Sequence, residues 1–166
     1  MKKFFWCVVL VCLFWGPQAA MGEEAINACG LVSHEAAEKV AGVKLAPGQL
    51  TEFDMPIMRN TTLCHYESLD SKHHRRFVNI ELTRAESGEE AGEKFRDALD
   101  LMSSPQHVSG LGDEAAWGGD ISRPRGGMVV RQGRYMLEVK VGGGSDRANR
   151  NMAEKLAGQA LEKLAP

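Results

Sequence analysis

The sequence predicts an α+β domain: an antiparallel sheet of about five to seven strands packed with three helices. Two pairs of alternating segments carry the sheet. Leu63–Glu67 with Phe77–Thr83, and Met128–Arg131 with Tyr135–Val141, are each joined by a polar or glycine turn and so read as hairpins. Three stretches with helical apolar spacing stand before, between and after them. Helices set against hairpin-built strands give a layered α+β domain.

The first helix is predicted over His34–Ala41. Ser33 is its cap, Ala36, Ala37, Val40 and Ala41 share a face, and Gly42 stops it. The preceding residues, 23–30, read as a short lead into the domain. Residues 43–60 hold a Pro47-Gly48 turn, and Pro56 rules out a central strand, which leaves a loop with a short edge strand. Asn60-Thr61-Thr62 matches a glycosylation sequon; in a chain with a bacterial-style leader it is a chance match.

In the first hairpin, Val78, Ile80 and Leu82 fall on one face. Phe77, Asn79, Glu81 and Thr83 fall on the other, a mixed face that meets solvent. Ser87 and Glu90 form a capping box that opens a helix to about Met102. Its stripe is Ala91, Phe95, Ala98, Leu99 and Met102, and Ser103-Ser104-Pro105 ends it. After a Gly-Leu-Gly-Asp turn, a strand of small residues runs to Trp117, and Gly118-Gly119-Asp120 turns again. In the second hairpin Tyr135, Leu137, Val139 and Val141 face inward, against Met136, Glu138 and Lys140. Gly142-Gly143-Gly144 is a joint, and Ser145 or Asp146 caps a final helix to Leu164. Its stripe is Ala148, Met152, Leu156, Ala160 and Leu164, with Ala153, Ala157 and Leu161 beside it.

Residues 1–22 read as a signal peptide. Lys2 and Lys3 precede a 12-residue apolar run, Phe4–Trp15, and small residues follow. The run is shorter than the ~20 residues of a spanning helix. Cleavage is expected after Gly22, with Ala20 the neighbouring option; an uncleaved anchor and acylation at Cys12 fit the residues less well. The mature chain, 23–166, is then one domain with no membrane span, placed in the bacterial periplasm or secreted. Losing Lys2 and Lys3 leaves 18 basic against 22 acidic residues, a net charge of about −4. An acidic surface argues against nucleic-acid binding, which needs a basic face.

Cys29 and Cys64 are the cysteines that remain after cleavage, and an even pair in an exported chain reads as a disulfide. Closing that 35-residue loop stabilises the fold by about 3.8 kcal/mol by chain entropy. The competing reading is two free thiols, one a metal ligand. No Cys-x-x-Cys redox motif is present.

The candidate chemistry centres on His65, His73 and His74, with His34 or His107 as further imidazoles. The flanking Lys72, Arg75 and Arg76 repel a cation, and adjacent His73 and His74 point apart in extended chain. The segment reads instead as a polar hairpin tip, with His73, His74, Arg75 and Arg76 as a possible partner contact. No metal site is assigned, and His65, His73 and His74 are only weak candidates. "GLGDEAAWGGD" fails the phosphate-loop patterns, so its glycines read as turn residues. No nucleophile elbow occurs, and Asp113/Glu114 and Glu89/Glu90 read as turn and helix-start residues. Tyr66, Trp117, Met128 and Met136 read as core, with a lined pocket as the alternative. No catalytic residue and no cofactor is expected.

Several of these features together resemble a family. They are the Cys before the first helix, Cys64-His65-Tyr66, "GLGDEAAW" at 110–117, "VVRQGRYMLEVKV" at 129–141 and "AEKLAGQAL" at 153–161. The chain resembles small exported bacterial proteins, many of them lipoproteins of unknown function, with a PsbP-like α+β sandwich. The resemblance implies that the two cysteines pair, and it supplies no catalytic residues. The chain departs from the lipoprotein members in having no acylation cysteine at its mature start. The functional expectation is a non-enzymatic binding or interaction module of the envelope, with an envelope protein or a small ligand as partner. The alternative is a periplasmic metal-handling protein using the His65/His73/His74 region.

Overall fold

The computed structural model describes residues 26–53, 55–70, 76–120 and 127–164. The elements, in chain order, are α1 (Ala28–Leu31), α2 (His34–Ala41), β1 (Gln49–Phe53), β2 (Thr61–Glu67) and β3 (Phe77–Arg84). They continue with α3 (Gly88–Leu101), β4 (Met102–His107), β5 (Glu114–Asp120), β6 (Gly127–Gln132), β7 (Tyr135–Gly142) and α4 (Asp146–Leu164). The strands form one antiparallel sheet in the order β1-β2-β3-β7-β6-β5-β4. The expected α+β class holds, with seven strands and with one helix more than the three expected.

The sheet is two meanders, β1–β3 and β4–β7, joined where β3 pairs β7 along eight residue pairs from Phe77↔Gly142 to Arg84↔Tyr135. Its inner face makes the main core. Val78, Ile80, Leu137, Val139, Met128, Val130 and Trp117 bury there against α1, α2 and α4. α4 contributes Ala153, Leu156, Ala157, Ala160, Leu161 and Leu164, and its small residues bring the helix close to the strands. α3 lies on the opposite face, where Phe95 packs with Ala116 and Val129 and meets Met136. Tyr66, Trp117 and Met128 therefore share the main core while Met136 faces α3, and the four line no common pocket.

The expected caps are present. Ser33 Oγ accepts from the Ala36 amide, and Gly42 ends α2 at φ 68°. Ser87 Oγ accepts from the Glu90 amide at 3.1 Å. The Glu90 carboxylate accepts from the amide of Glu86, one residue ahead of the usual capping-box partner. Ser145 Oγ accepts from Ala148 N at 3.3 Å, which makes Ser145 the cap of α4.

Four local expectations are corrected, and one strand is added to them. The lead segment contains α1, nucleated by Asn27, whose Oδ1 accepts from the Gly30 amide at 3.0 Å. Ser103-Ser104-Pro105 does end α3, and it also lies in β4, an edge strand absent from the expected elements, whose register shifts between Ser103 and Gln106. An edge tolerates a proline because one row of its backbone groups faces away from the ladder. Gly118 and Gly119 continue β5 rather than turn, with Gly118 opposite Gly127. Gly142 belongs to β7, paired opposite Phe77, whose ring fills the space a side chain there would occupy. In α4, Ala148 is exposed and Asn149 is buried, its side-chain amide bonded to both backbone groups of Gly144. The proposed leader, residues 1–22, lies outside the described residues.

Candidate functional site

Cys29 and Cys64 form a disulfide, with Cα atoms 4.9 Å apart. It ties α1 to β2 on the inner face, where Tyr66 Oη also donates to Val32 O at 3.0 Å. Burial raises the Tyr66 phenol above its ordinary value. The cysteine beside His65 is thus committed to the scaffold.

The histidines do not converge. His34 stacks on Tyr66 on the inner side, and its Nε2 lies 3.0 Å from Leu45 O. His65 projects from the opposite face, its Nδ1 2.6 Å from Asn79 Oδ1. His107 is on the far edge strand, five strand spacings from β2, or about 24 Å. Among the described residues no three His, Cys, Asp or Glu side chains group to hold a metal ion. His73, His74 and Arg75 lie outside the described residues. Arg76 turns inward from the hairpin tip: its Nη1 donates to Ala41 O at 2.6 Å and its Nη2 to Gly143 O at 3.3 Å. It ties the C-terminus of α2 to the chain after β7, a favourable place for a cation at a helix end.

Asp113 is a turn residue as expected, whereas Glu114 opens β5 opposite Arg131. Both pair with Arg131, and Asp113 Oδ2 also accepts from the Gly133 amide at 2.7 Å. Gly110 and Gly112 have φ of 81° and 56°, the positive values expected of turn glycines.

What the sequence left unmarked is how unevenly the described residues cover the outer face. α3 packs on β4, β6 and β7. The outer face of β1–β2–β3 lies beyond it and carries Thr51, Phe53, Leu63, His65, Phe77, Asn79 and Glu81. These residues are half-buried except exposed Thr51. They mix rings, an apolar chain, an amide and a carboxylate on one surface.

Where this open half meets α3, the sheet holds a charged cluster. Glu81 on β3 stands directly opposite Glu138 on β7. Lys140 Nζ lies 3.0 Å from Glu138 Oε1. Burial, with the Glu138 charge behind it, raises Glu81 to about 7, and Lys140 offsets only part of this. Beside the cluster a groove of about 180 Å³ runs under the C-terminal end of α3. Ala98, Leu101 and Met102 form its wall, Gly118, Gly127 and Val129 its floor, and Glu138 and Lys140 its charged end. The glycine pair is what opens it: a Cβ on Gly118 would sit 3.3 Å from Met102.

A scan against protein-family models finds no match to the chain, and a search of curated proteins finds none. Among the described residues no helix is long and apolar enough to cross a membrane.

Proposed function

We propose that this protein is an exported, non-enzymatic binding module of the bacterial envelope, which engages a protein or small ligand through the outer face of its sheet. The observation that carries the reading is the uneven cover of that face. A sheet face that keeps Phe53, Leu63, His65 and Phe77 together, with no helix over them among the described residues, offers ring and apolar area beside polar groups. The disulfide supports an oxidising compartment. The leader-like residues 1–22 support export, and the PsbP-like resemblance points the same way.

The test is affinity capture from the organism's own envelope extract, quantified by mass spectrometry for wild type, Thr51→Arg and Ile57→Ser. Thr51 lies on the open half, whereas Ile57, 83 % exposed, lies in the turn after β1. A species retained by wild type and Ile57→Ser but lost with Thr51→Arg supports the reading. Identical retention by all three overturns it.

A further inference from the structure

We infer that the free edge of β1 pairs antiparallel with the β1 of a second copy of this chain, about a two-fold axis at Thr51, so that two seven-stranded sheets join into one. The surface is the backbone edge of the sheet, and the inference stands apart from the outer-face reading.

The two edges of the sheet differ. β4, at one end, carries Pro105, a register shift between Ser103 and Gln106, and Ser104 at φ 52°. Proline and irregular backbone of this kind keep a further strand from adding to an edge. β1, at the other end, pairs β2 in unbroken register from Gln49 to Phe53 and contains no proline and no lysine. Gln49, Leu50, Thr51 and Glu52 are exposed. Among the described residues no strand lies on the other side of β1.

The register shows which backbone groups are free. The Arg84 amide donates to Asn60 O, and the Ser68 amide to Arg76 O. Even-numbered residues of β2 therefore bond toward β3, and odd-numbered ones toward β1. Leu63 and His65 are the register partners of Thr51 and Gln49, so the backbone groups of those two bond inward to β2. The N–H and C=O of Leu50 and of Glu52 point away from the sheet.

The sequence of the strand chooses among the two-fold registers. An axis at Glu52 sets the two Glu52 side chains directly opposite, a repulsive pair. An axis at Leu50 carries Glu52 past the start of the second β1, which begins at Gln49. An axis at Thr51 sets Leu50 against the partner's Glu52, and Glu52 against the partner's Leu50. Each outward N–H then meets an outward C=O, with none of these groups left over. Thr51 meets its own copy at a close, non-hydrogen-bonded position, where paired threonines are favourable. The one charge of the strand thus selects the register rather than blocking the edge. The contact is isologous, and it stops at two copies because the guarded β4 edges end the joined sheet.

The experiment measures the mass of the purified, disulfide-intact protein by sedimentation equilibrium up to about 0.3 mM, which populates an association of Kd about 0.1 mM. Wild type should be a dimer and Glu52→Pro a monomer. Proline there removes an outward N–H and no bond to β2, and an edge strand accepts it. Circular dichroism checks that the variant is folded. Mild oxidation of two added cysteines reads the register without a proline. Thr51→Cys should cross-link to its copy, because the Cα atoms stand about 4.5 Å apart across the axis. It should do so about tenfold faster than Gln49→Cys, whose copies stand about 14 Å apart along the strands. A monomeric wild type, a dimer that persists in folded Glu52→Pro, or equal cross-linking of the two cysteine variants overturns the inference. A monomer that retains an envelope protein which Glu52→Pro loses gives the edge to a foreign strand, and overturns the second copy as its occupant. Glu52→Pro changes no outer-face side chain, so the outer-face reading stands or falls separately, on the capture experiment.

Discussion

At the scale of single residues, the outer face holds a carboxylate in an unfavourable place. The folded value of Glu81, about 7, lies above the ordinary 4.5. The folded chain therefore binds that proton more tightly than the unfolded chain, and stability falls as pH rises from about 4.5 to about 7. Glu81→Gln removes the titration. Its melting temperature should lose this slope, and at pH 8 it should equal or exceed wild type. A variant that keeps the wild-type slope would show that the proton is held elsewhere. Gly142 makes the opposite kind of prediction, one of shape. The Phe77 ring covers it, so Gly142→Ala should destabilise by about 1–3 kcal/mol through overpacking. In Gly142→Ala/Phe77→Leu the two costs should be less than additive by chemical denaturation, because the smaller side chain gives the methyl room.

At the scale of elements, the helix caps are the parts the chain states outright. Ser87→Ala should cost about 1 kcal/mol in urea melts by freeing the Glu90 amide. α2, α3 and α4 were legible because a cap and a 3.6-residue period agree. β2, β3 and β7 were legible because one face is buried and the other is not. β1 was readable only as an uncertain edge, since Gln49–Glu52 are all exposed and give no alternation. β4 hid behind Pro105, and α1 behind its length of one turn. The site was less legible than the fold. Alternation placed Glu81, Glu138 and Lys140 on outward faces, but they come from strands joined only by long-range register. How far α3 reaches over the sheet is set by packing, which periodicity does not encode. The histidine-rich stretch drew notice through composition, yet His65 answers to Asn79 and Arg76 to two backbone carbonyls.

At the scale of the whole molecule, the disulfide fastens α1 to the first meander. Cys29→Ser/Cys64→Ser should lower stability by about 2–4 kcal/mol, measured by denaturant unfolding. Denatured, unreduced protein should show no reactive thiol at either position. Apart from the backbone through α3, nothing covalent fastens the second meander to the first among the described residues. That task falls to the β3–β7 seam, which joins Ile80 to Val139 across all of α3, β4, β5 and β6. The arrangement has a consequence in time. Both cysteines are available for oxidation once a growing chain has delivered residue 64, whereas β3 waits for residues 135–142 to be covered. A chain cut or stalled just before Tyr135 is therefore a pinned fragment in which β3 and β6 are both naked, their backbones unpaired along the side meant for β7. Proteases and aggregating neighbours recognise such strands, so a premature stop before Tyr135 has more to destroy than the length it removes.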